Sequence, residues 1–167
     1  METKMRDGRA IQLTKQIGEY LVASELARRG YLSSTFSGNV PEFDIIAANQ
    51  KGKMILIQVK AINGGSWQFA IDRFVNIKIV GNKQQIENKI EQPIKNLICV
   101  LVIIGKDYGE DEFFILKWSK LQEILINNHD VFLKKHNGER PKSKESMHCG
   151  LNKEDILRYK DKWNYIK

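Results

Sequence analysis

The chain has 167 residues, of which 42% are apolar and 28% charged, which is typical of one globular domain. Its longest apolar run, residues 97–104, is far shorter than the about 18 residues that cross a bilayer, so we expect no membrane partner. The net charge of +7 is compatible with a polyanion such as nucleic acid, or simply with a basic soluble protein. Cys99 and Cys149 form no disulfide framework and indicate a reducing, cytoplasmic location.

The first third of the chain predicts a helix followed by strands. Apolar side chains at three- and four-residue steps predict a helix over residues 9–29, which Gly30 ends. Three strands are then predicted, at residues 31–36, 43–48 and 54–62. The last two form a hairpin, because residues 49–52 have the composition of a turn.

The rest of the chain predicts more strands and then helices. Strands are predicted at residues 67–72, 74–80, 97–104 and 113–118, the third of them fully buried. Ser119 is a plausible N-cap for a helix to about residue 135, residues 136–150 form a polar loop, and Asn152 caps a final helix. This order indicates a single α/β or α+β domain around one mixed sheet.

The third predicted strand carries polar residues in an apolar setting. Side chains alternate along a strand, so Gln58 and Lys60 share a face with the apolar Leu56. An unpaired buried lysine is costly, and polar residues that interrupt an apolar strand often belong to a functional site. The alternative is that the strand simply emerges into solvent at Gln58.

Two acidic residues strengthen the functional interpretation. Asp44 stands at the start of a buried strand, where an uncompensated carboxylate is costly, and the hairpin brings it near Gln58 and Lys60. Glu19 lies beside the apolar stripe of the first helix, although it could also be an ordinary solvated charge. An acid, an amide oxygen and a lysine therefore converge on one point.

Residues 17–62 resemble the PD-(D/E)XK nuclease superfamily, which has the restriction-endonuclease-like fold. The resemblance lies in three motifs: Gly18-Glu19 in a helix, Pro41-Glu42-Phe43-Asp44-Ile45-Ile46 at a strand start, and Ile57-Gln58-Val59-Lys60. The order is similar to archaeal Holliday-junction resolvases and to compact homing and restriction endonucleases. Two departures are visible, because the usual Pro-Asp pair is spread out and Gln58 replaces an acid. A Gln variant is known in the superfamily, in some homing endonucleases and in a transposon end-cleaving subunit.

The resemblance implies a site for Mg²⁺ or Mn²⁺ and a role for each motif residue. Asp44 would be the central ligand, with the Gln58 side-chain oxygen and the Val59 main-chain carbonyl beside it. Glu19 would bind a second ion or hold a water, and Lys60 would position the attacking water. Because Gln58 is neutral, we expect weaker metal binding than an acid at this position would give.

The resemblance also implies a fold and a function. It implies a restriction-endonuclease-like α/β core at about residues 9–105, with a helical elaboration at about residues 119–167 of the same domain. The implied function is a metal-dependent DNA endonuclease, with RNA left open as a substrate. One site cuts one strand, which favours a homodimer or larger oligomer. The alternatives are a catalytically degenerate nucleic-acid-binding module and, more distantly, an interaction protein that shares the fold.

Further residues are candidates for nucleic-acid contact. Ser33 and Ser34 precede the Asp44 strand and could touch a phosphate, although turn chemistry also explains them. Trp67 could stack on a base or belong to the core. The loop after residue 133 is strongly basic and is either a phosphate-binding surface or a solvated loop. Its candidate residues are Lys134, Lys135, Arg140 and Lys142.

Overall fold

The computed structural model describes residues 8–36 and 42–167. Within these ranges the chain forms three α-helices, nine strands and three short 3₁₀ turns. In chain order the helices and strands are α1 (Gly8–Arg28), β1 (Leu32–Thr35), β2 (Ile45–Ala48), β3 (Met54–Ile62), β4 (Trp67–Ala70), β5 (Val75–Val80), β6 (Lys83–Lys89), β7 (Ile98–Ile103), β8 (Glu112–Lys117), α2 (Trp118–Lys135), β9 (His148–Leu151) and α3 (Lys153–Ile156). The 3₁₀ turns are Ile71–Arg73, Leu157–Tyr159 and Trp163–Tyr165. None of the described helices has the length and apolar character needed to cross a membrane.

A mixed sheet of five strands, in the order β1-β2-β3-β7-β8, forms the centre of the described structure. The predicted hairpin is confirmed, since β2 and β3 pair antiparallel with Ile45 opposite Ile57. The strands β3 and β7 are parallel, and Gln58 lies beside Cys99 in their register. The β7 strand is apolar throughout, as expected of a strand that is covered on both faces.

Helix α1 covers one face of this sheet. Its Val22 and Leu26 are fully buried against the side chains of β2, β3 and β7 that point to that face. The helix approaches β3 closely at Gly18, where an added Cβ atom would overlap the Cβ atom of Ala61. A side chain at the position that directly precedes Glu19 would therefore force α1 and β3 apart.

The opposite face carries the larger part of the core. Leu97, Cys99 and Leu101 lie on this face and pack with Trp67 of β4 and with Leu121 of α2. The β4 strand pairs antiparallel with β9, while β5 and β6 form a separate hairpin. A mixed sheet with helices on both faces confirms the predicted fold class.

Several predicted elements need correction. The β6 strand has a polar, charged sequence that gives no strand pattern, and β9 lies inside the segment predicted as a loop. Helix α2 begins at Trp118 with Lys117 as N-cap, so the predicted Ser119 cap is wrong. The predicted final helix stops after one turn and continues as 3₁₀ turns, although Asn152 is its N-cap as predicted.

The division into a core at about residues 9–105 and an elaboration at about residues 119–167 stays a prediction, and two strands bear on it. The β8 strand, which lies beyond residue 105, belongs to the central sheet. The segment after residue 119 contains β9 as well as helices, so it is not purely helical. Pro41, the first residue of the strand-start motif, lies outside the described residues.

Candidate metal and nucleic-acid site

Asp44 is fixed at the start of β2 by two hydrogen bonds to β3. Its backbone N–H donates to the Ile57 carbonyl over 2.8 Å, which extends the hairpin ladder by one residue. Its side-chain Oδ2 accepts a hydrogen bond from the Val59 backbone N–H, also over 2.8 Å. The carboxylate is thus held between the backbone segments of the two motif strands, as the hairpin prediction required.

Glu19 approaches the site from helix α1. Its relative exposure is only 7%, because α1 packs tightly on the sheet at Gly18. Burial, and then the negative charge of Asp44, raise the pKa of the Glu19 carboxyl. Glu19 is therefore not a solvated helix charge, which was the alternative interpretation of this residue.

Lys15 joins the two acids. Its Nζ lies 3.3 Å from Asp44 Oδ1 and 3.6 Å from Glu19 Oε1. Although partial burial acts to lower the pKa of Lys15, Asp44 and Glu19 outweigh it and the pKa is raised. The ammonium group is thus a positive charge shared by both carboxylates.

Gln58 and Lys60 lie on the sheet face opposite α1. The Cys99 Sγ atom lies 3.9 Å from Gln58 Oε1, and burial followed by the charge of Asp44 raises the pKa of this thiol. The thiol therefore stays protonated and can act as a weak donor to the amide oxygen. Gln58 consequently presents its oxygen inside the site and does not emerge into bulk solvent.

Lys60 is held by aromatic residues. Its Nζ lies 4.5 Å from the centre of the Phe69 ring, a cation–π geometry, and its carbonyl accepts a hydrogen bond of 2.9 Å from Trp67 Nε1. Burial and then the positive charge of Arg73 lower the pKa of Lys60, while Asp44 opposes this shift. The ammonium group is pre-positioned and poorly hydrated.

A cavity of about 1000 Å³ connects these groups. Asp44, Gln58 and Lys60 line it, together with Lys15 and Arg73, whereas Glu19 is not one of its lining residues. Its lining combines apolar side chains, among them Leu97 and Leu101, with polar and basic ones. The cavity thus brings together the three residues predicted from the two strands, with cationic groups beside them.

The donor set fits a hard divalent cation. Within the described residues no group of three or more His, Cys, Asp or Glu side chains converges. The available donors are two carboxylates, of Asp44 and Glu19, and the neutral oxygen of Gln58, which are oxygen ligands of the kind Mg²⁺ and Mn²⁺ prefer. A cation, the ammonium of Lys15, already lies between the two carboxylates. The position therefore favours positive charge.

Trp67 does not belong to a nucleic-acid surface. Its side chain has no exposed surface and its indole N–H is used by Lys60. The ring also packs edge-on against Phe114, with the centroids 5.9 Å apart. These contacts correct the expectation that Trp67 could stack on a base and place it in the core.

The two serine candidates lie on the edge strand β1. Ser33 is half-buried, and its hydroxyl donates to the Ala23 carbonyl of α1 over 3.4 Å. Ser34 is exposed, and among the described residues its hydroxyl hydrogen-bonds only to the adjacent Thr35 carbonyl, at 3.5 Å. Of the two, Ser34 presents the freer hydroxyl.

The basic segment after α2 divides into structural and exposed residues. Lys134 pairs with Asp130 over 2.6 Å on the helix surface. Arg140 donates to the His148 carbonyl and lies 4.6 Å from the Phe132 ring centre, so it holds the segment against α2 and β9. Lys135 and Lys142 are exposed and remain candidates for phosphate contact.

Three residues of the site were not predicted from the sequence. Lys15 is one helical turn before Glu19, a spacing that usually indicates only a weak surface pair. Phe69 and Arg73 come from β4 and the turn that follows it, and nothing in their local sequence places them near Lys60. Of the three, only Lys15 could have been suspected from the sequence, through its i,i+4 spacing to Glu19.

Comparison with known proteins gives only distant structural likeness. No protein-family model matches the chain, and no curated protein matches it in sequence. It is similar to the bacterial homing endonuclease I-Ssp6803I at 14% identity, with 93% of this chain and 91% of that chain covered and a TM-score of 0.47. It is also similar to Hjc, a Holliday junction resolvase from the archaeon Archaeoglobus fulgidus, at 13% identity, with 86% and 88% covered and a TM-score of 0.46. Likeness at this level assigns neither a family nor an activity.

Proposed function

We propose that the protein is a metal-dependent endonuclease that hydrolyses phosphodiester bonds in DNA. The observation that carries this proposal is the convergence of Asp44, Gln58 and Lys60 on one cavity, with Glu19 joined to Asp44 through Lys15. Acidic and amide oxygens beside a pre-positioned lysine are the groups that metal-assisted phosphodiester hydrolysis requires. The motif resemblance supports the same chemistry.

Each side chain has a distinct role in this proposal. Asp44, whose carboxylate is oriented by the Val59 N–H, would hold the cation, and Gln58 and the Val59 carbonyl would add neutral oxygen donors. Mg²⁺ or Mn²⁺, when bound, supplies Lewis-acid activation of water and offsets phosphate charge. Lys60, resting on the Phe69 ring, positions the attacking water and stabilises charge that develops on the phosphate.

The substrate follows from the charge of the surface. The chain carries a net charge of +7, and Arg73, Lys15 and Lys60 line the same cavity, which favours a polyanion. The described residues of each chain contribute one candidate site, so cutting both strands of a duplex in one binding event takes two copies. We propose a homodimer or larger oligomer on DNA, with RNA as a substrate to be tested beside it.

The competing function is a nucleic-acid-binding module with a degenerate site. The ion pair of Lys15 with both acids favours it, because a permanent internal cation would leave no need for a metal. The two functions differ in whether Mn²⁺ or Mg²⁺ converts bound DNA into product. Lys60 lines the open cavity with Asp44, as a nuclease requires.

The test incubates the protein with plasmid, branched DNA, single strands and RNA in the presence of Mg²⁺, Mn²⁺ or EDTA. Asp44→Ala and Lys60→Ala should each abolish divalent-dependent cleavage of DNA while the circular dichroism spectrum is unchanged. Lys120→Ala, which removes an exposed lysine of α2 paired with Glu123, should cleave as the wild type does. Wild-type rates in either site variant would contradict the site, and DNA binding without any cleavage would favour the degenerate module.

A further inference from the structure

Lys15 lies between the two carboxylates of the site, Asp44 and Glu19. Its Nζ bridges Asp44 Oδ1 and Glu19 Oε1 at 3.3 and 3.6 Å, while the other Asp44 oxygen faces the Val59 N–H. The Lys15 side chain is about half exposed, whereas those of Glu19 and Asp44 are 9% and 12% exposed. A tethered cation thus lies between two acids that are largely shielded from water.

The local charge opposes a second divalent ion. Two carboxylates, Asp44 and Glu19, face three cationic side chains, Lys15, Lys60 and Arg73, and Gln58 contributes no charge. One divalent ion adds two positive charges that a phosphate diester partly offsets. A second ion beside Lys15 would add two more without another carboxylate to balance them, which is unfavourable in a partly desolvated site.

We propose that the Lys15 ammonium replaces the second metal ion, so that the site binds a single divalent cation at Asp44, Gln58 and the Val59 carbonyl. Glu19 then holds Lys15 and does not bind a metal. This inference rests on the proposed metal-dependent function and names the cation composition of that same site. Lys15 becomes a positioning residue whose charge fixes Asp44 and Glu19 relative to each other.

The experiment counts Mn²⁺ ions on the EDTA-treated, dialysed protein by electron paramagnetic resonance of free Mn²⁺ and by calorimetry. The variants are Lys15→Met and Lys15→Gln, which remove the charge with different side chains, and each of these combined with Glu19→Gln. Lys120→Met is the matched control, because it also removes a helical lysine that is paired with a glutamate. Thermal unfolding establishes that each variant is folded before the titration.

The wild type and Lys120→Met should bind one Mn²⁺ per chain. Lys15→Met and Lys15→Gln should each bind two, and the added Glu19→Gln change should remove the second ion. In the wild-type background, Glu19→Gln should change the Mn²⁺ dissociation constant by less than about threefold, since Glu19 is not a metal ligand.

Two outcomes would overturn the inference alone. Two ions on the wild type, or one ion on both folded Lys15 variants, would show that Lys15 does not replace a metal while leaving an Asp44-dependent metal site in place. No Mn²⁺ binding by the wild type or by either Lys15 variant would overturn the inference together with the metal-dependent function.

Discussion

Asp44 is the residue through which the charged groups of the site influence one another. One of its oxygens accepts the Val59 N–H and the other pairs with Lys15, and its charge raises the pKa of Glu19 and opposes the lowering of the Lys60 pKa. These interactions connect α1, β2 and β3 through a single carboxylate. Loss of this carboxylate should therefore disturb all the other groups at once.

Gln58 offers a sharp test at the level of one residue. Gln58→Glu keeps nearly the same shape and adds a negative charge beside Asp44, so we expect Mn²⁺ and Mg²⁺ to bind about tenfold more tightly. The same charge repels the phosphate and raises the pKa of Lys60, so cleavage should not accelerate in proportion. Calorimetric titration measures the affinity, and single-turnover cleavage measures the rate.

A matched control distinguishes direct binding of the metal by residue 58 from the effect of one more negative charge on the protein. Gln85→Glu adds the same charge on the exposed surface of β6, opposite Lys78, and should leave the metal affinity unchanged within about twofold. Gln58→Met, which removes the oxygen donor, should weaken binding. A Gln58→Glu protein that binds neither ion more tightly would show that Gln58 is not a ligand.

The neutral donor at Gln58 also predicts a preference between metals. Mn²⁺ binds a given oxygen or nitrogen site more readily than Mg²⁺ and tolerates looser geometry. Cleavage should therefore reach half of its maximal rate at a lower concentration of Mn²⁺ than of Mg²⁺, and Gln58→Glu should narrow the difference. Equal half-saturating concentrations in the wild type would count against a role for Gln58 in binding the metal.

The sequence indicates the motif residues of the site but not the residues that contact them. The sequence could predict that Asp44, Gln58 and Lys60 lie close together. They are polar residues in or beside apolar strands, and these strands pair as a hairpin of neighbouring segments. The sequence could not predict that Lys15 joins them, because a lysine four residues before a glutamate is common on solvated helix surfaces. Phe69 reaches Lys60 only through the packing of β4, which no local pattern encodes.

At the level of elements, the contact between α1 and β3 sets the position of Glu19 and Lys15. The helix rests on the strand at Gly18, where the backbone lies against Ala61. Any side chain at position 18 would push the helix away from the sheet. The acid and the lysine that follow and precede this glycine would move with the helix.

This contact predicts the effect of Gly18→Ala. The added methyl group overlaps Ala61, so we expect the free energy of unfolding to fall by about 1 to 2 kcal/mol even though alanine favours helix. Urea unfolding measures the loss, and Mn²⁺ affinity reports the displacement of the site. Gly8→Ala, at an open position at the start of α1, is the matched control and should be neutral or slightly stabilising.

A double variant gives the decisive comparison. Ala61→Gly makes room for the methyl group, so Gly18→Ala with Ala61→Gly should be more stable than the sum of the two single changes predicts. Strictly additive losses would show that the close approach of α1 and β3 is not what makes alanine unfavourable at position 18.

Prediction of elements succeeded where the pattern was apolar and local. The β2–β3 hairpin and the buried β7 strand follow directly from apolar runs around a turn. The β6 strand is stabilised by pairing with β5 and has a sequence of mostly polar residues, and β9 depends on β4, about 80 residues earlier in the chain. Strands that are defined by distant partners leave little trace in their own sequence.

At the level of the whole molecule, a buried polar network joins α2 to the segments that surround it. His129 of α2 has its Nε2 atom 3.0 Å from Gln84 Oε1 of β6. The Gln84 amide nitrogen donates to the Lys144 and Ser146 carbonyls over 2.6 and 3.1 Å. Three segments that are far apart in sequence therefore meet at one pair of side chains.

The network fixes the protonation state of His129. Because the Gln84 oxygen can only accept, His129 Nε2 carries the proton and Nδ1 is the unprotonated nitrogen. Nδ1 is buried and has no hydrogen-bond partner among the described residues. Burial, and then the charge of Arg140, lower the pKa of His129 to about 4, while Asp130 opposes this shift.

This pKa predicts how the stability of the protein depends on pH. Unfolded histidine titrates near 6.5, so between that pH and about 4 the unfolded chain binds more protons than the folded one. Neutral His129 makes its full contribution to the free energy of unfolding above pH 6.5. This contribution, about 3 kcal/mol in total, is lost as the pH falls towards 4. His129→Gln keeps a donor for Gln84 but does not titrate. The free energy of unfolding of this variant should therefore fall by about 3 kcal/mol less than that of the wild type between pH 6.5 and 4.

Urea unfolding at half-unit steps from pH 7.5 to 4 measures the free energy of unfolding of both proteins. The control is His148→Gln, at an exposed position of β9, whose free energy of unfolding should depend on pH as that of the wild type does. Parallel pH profiles for the wild type and His129→Gln would contradict a neutral, proton-excluding His129 in the native core.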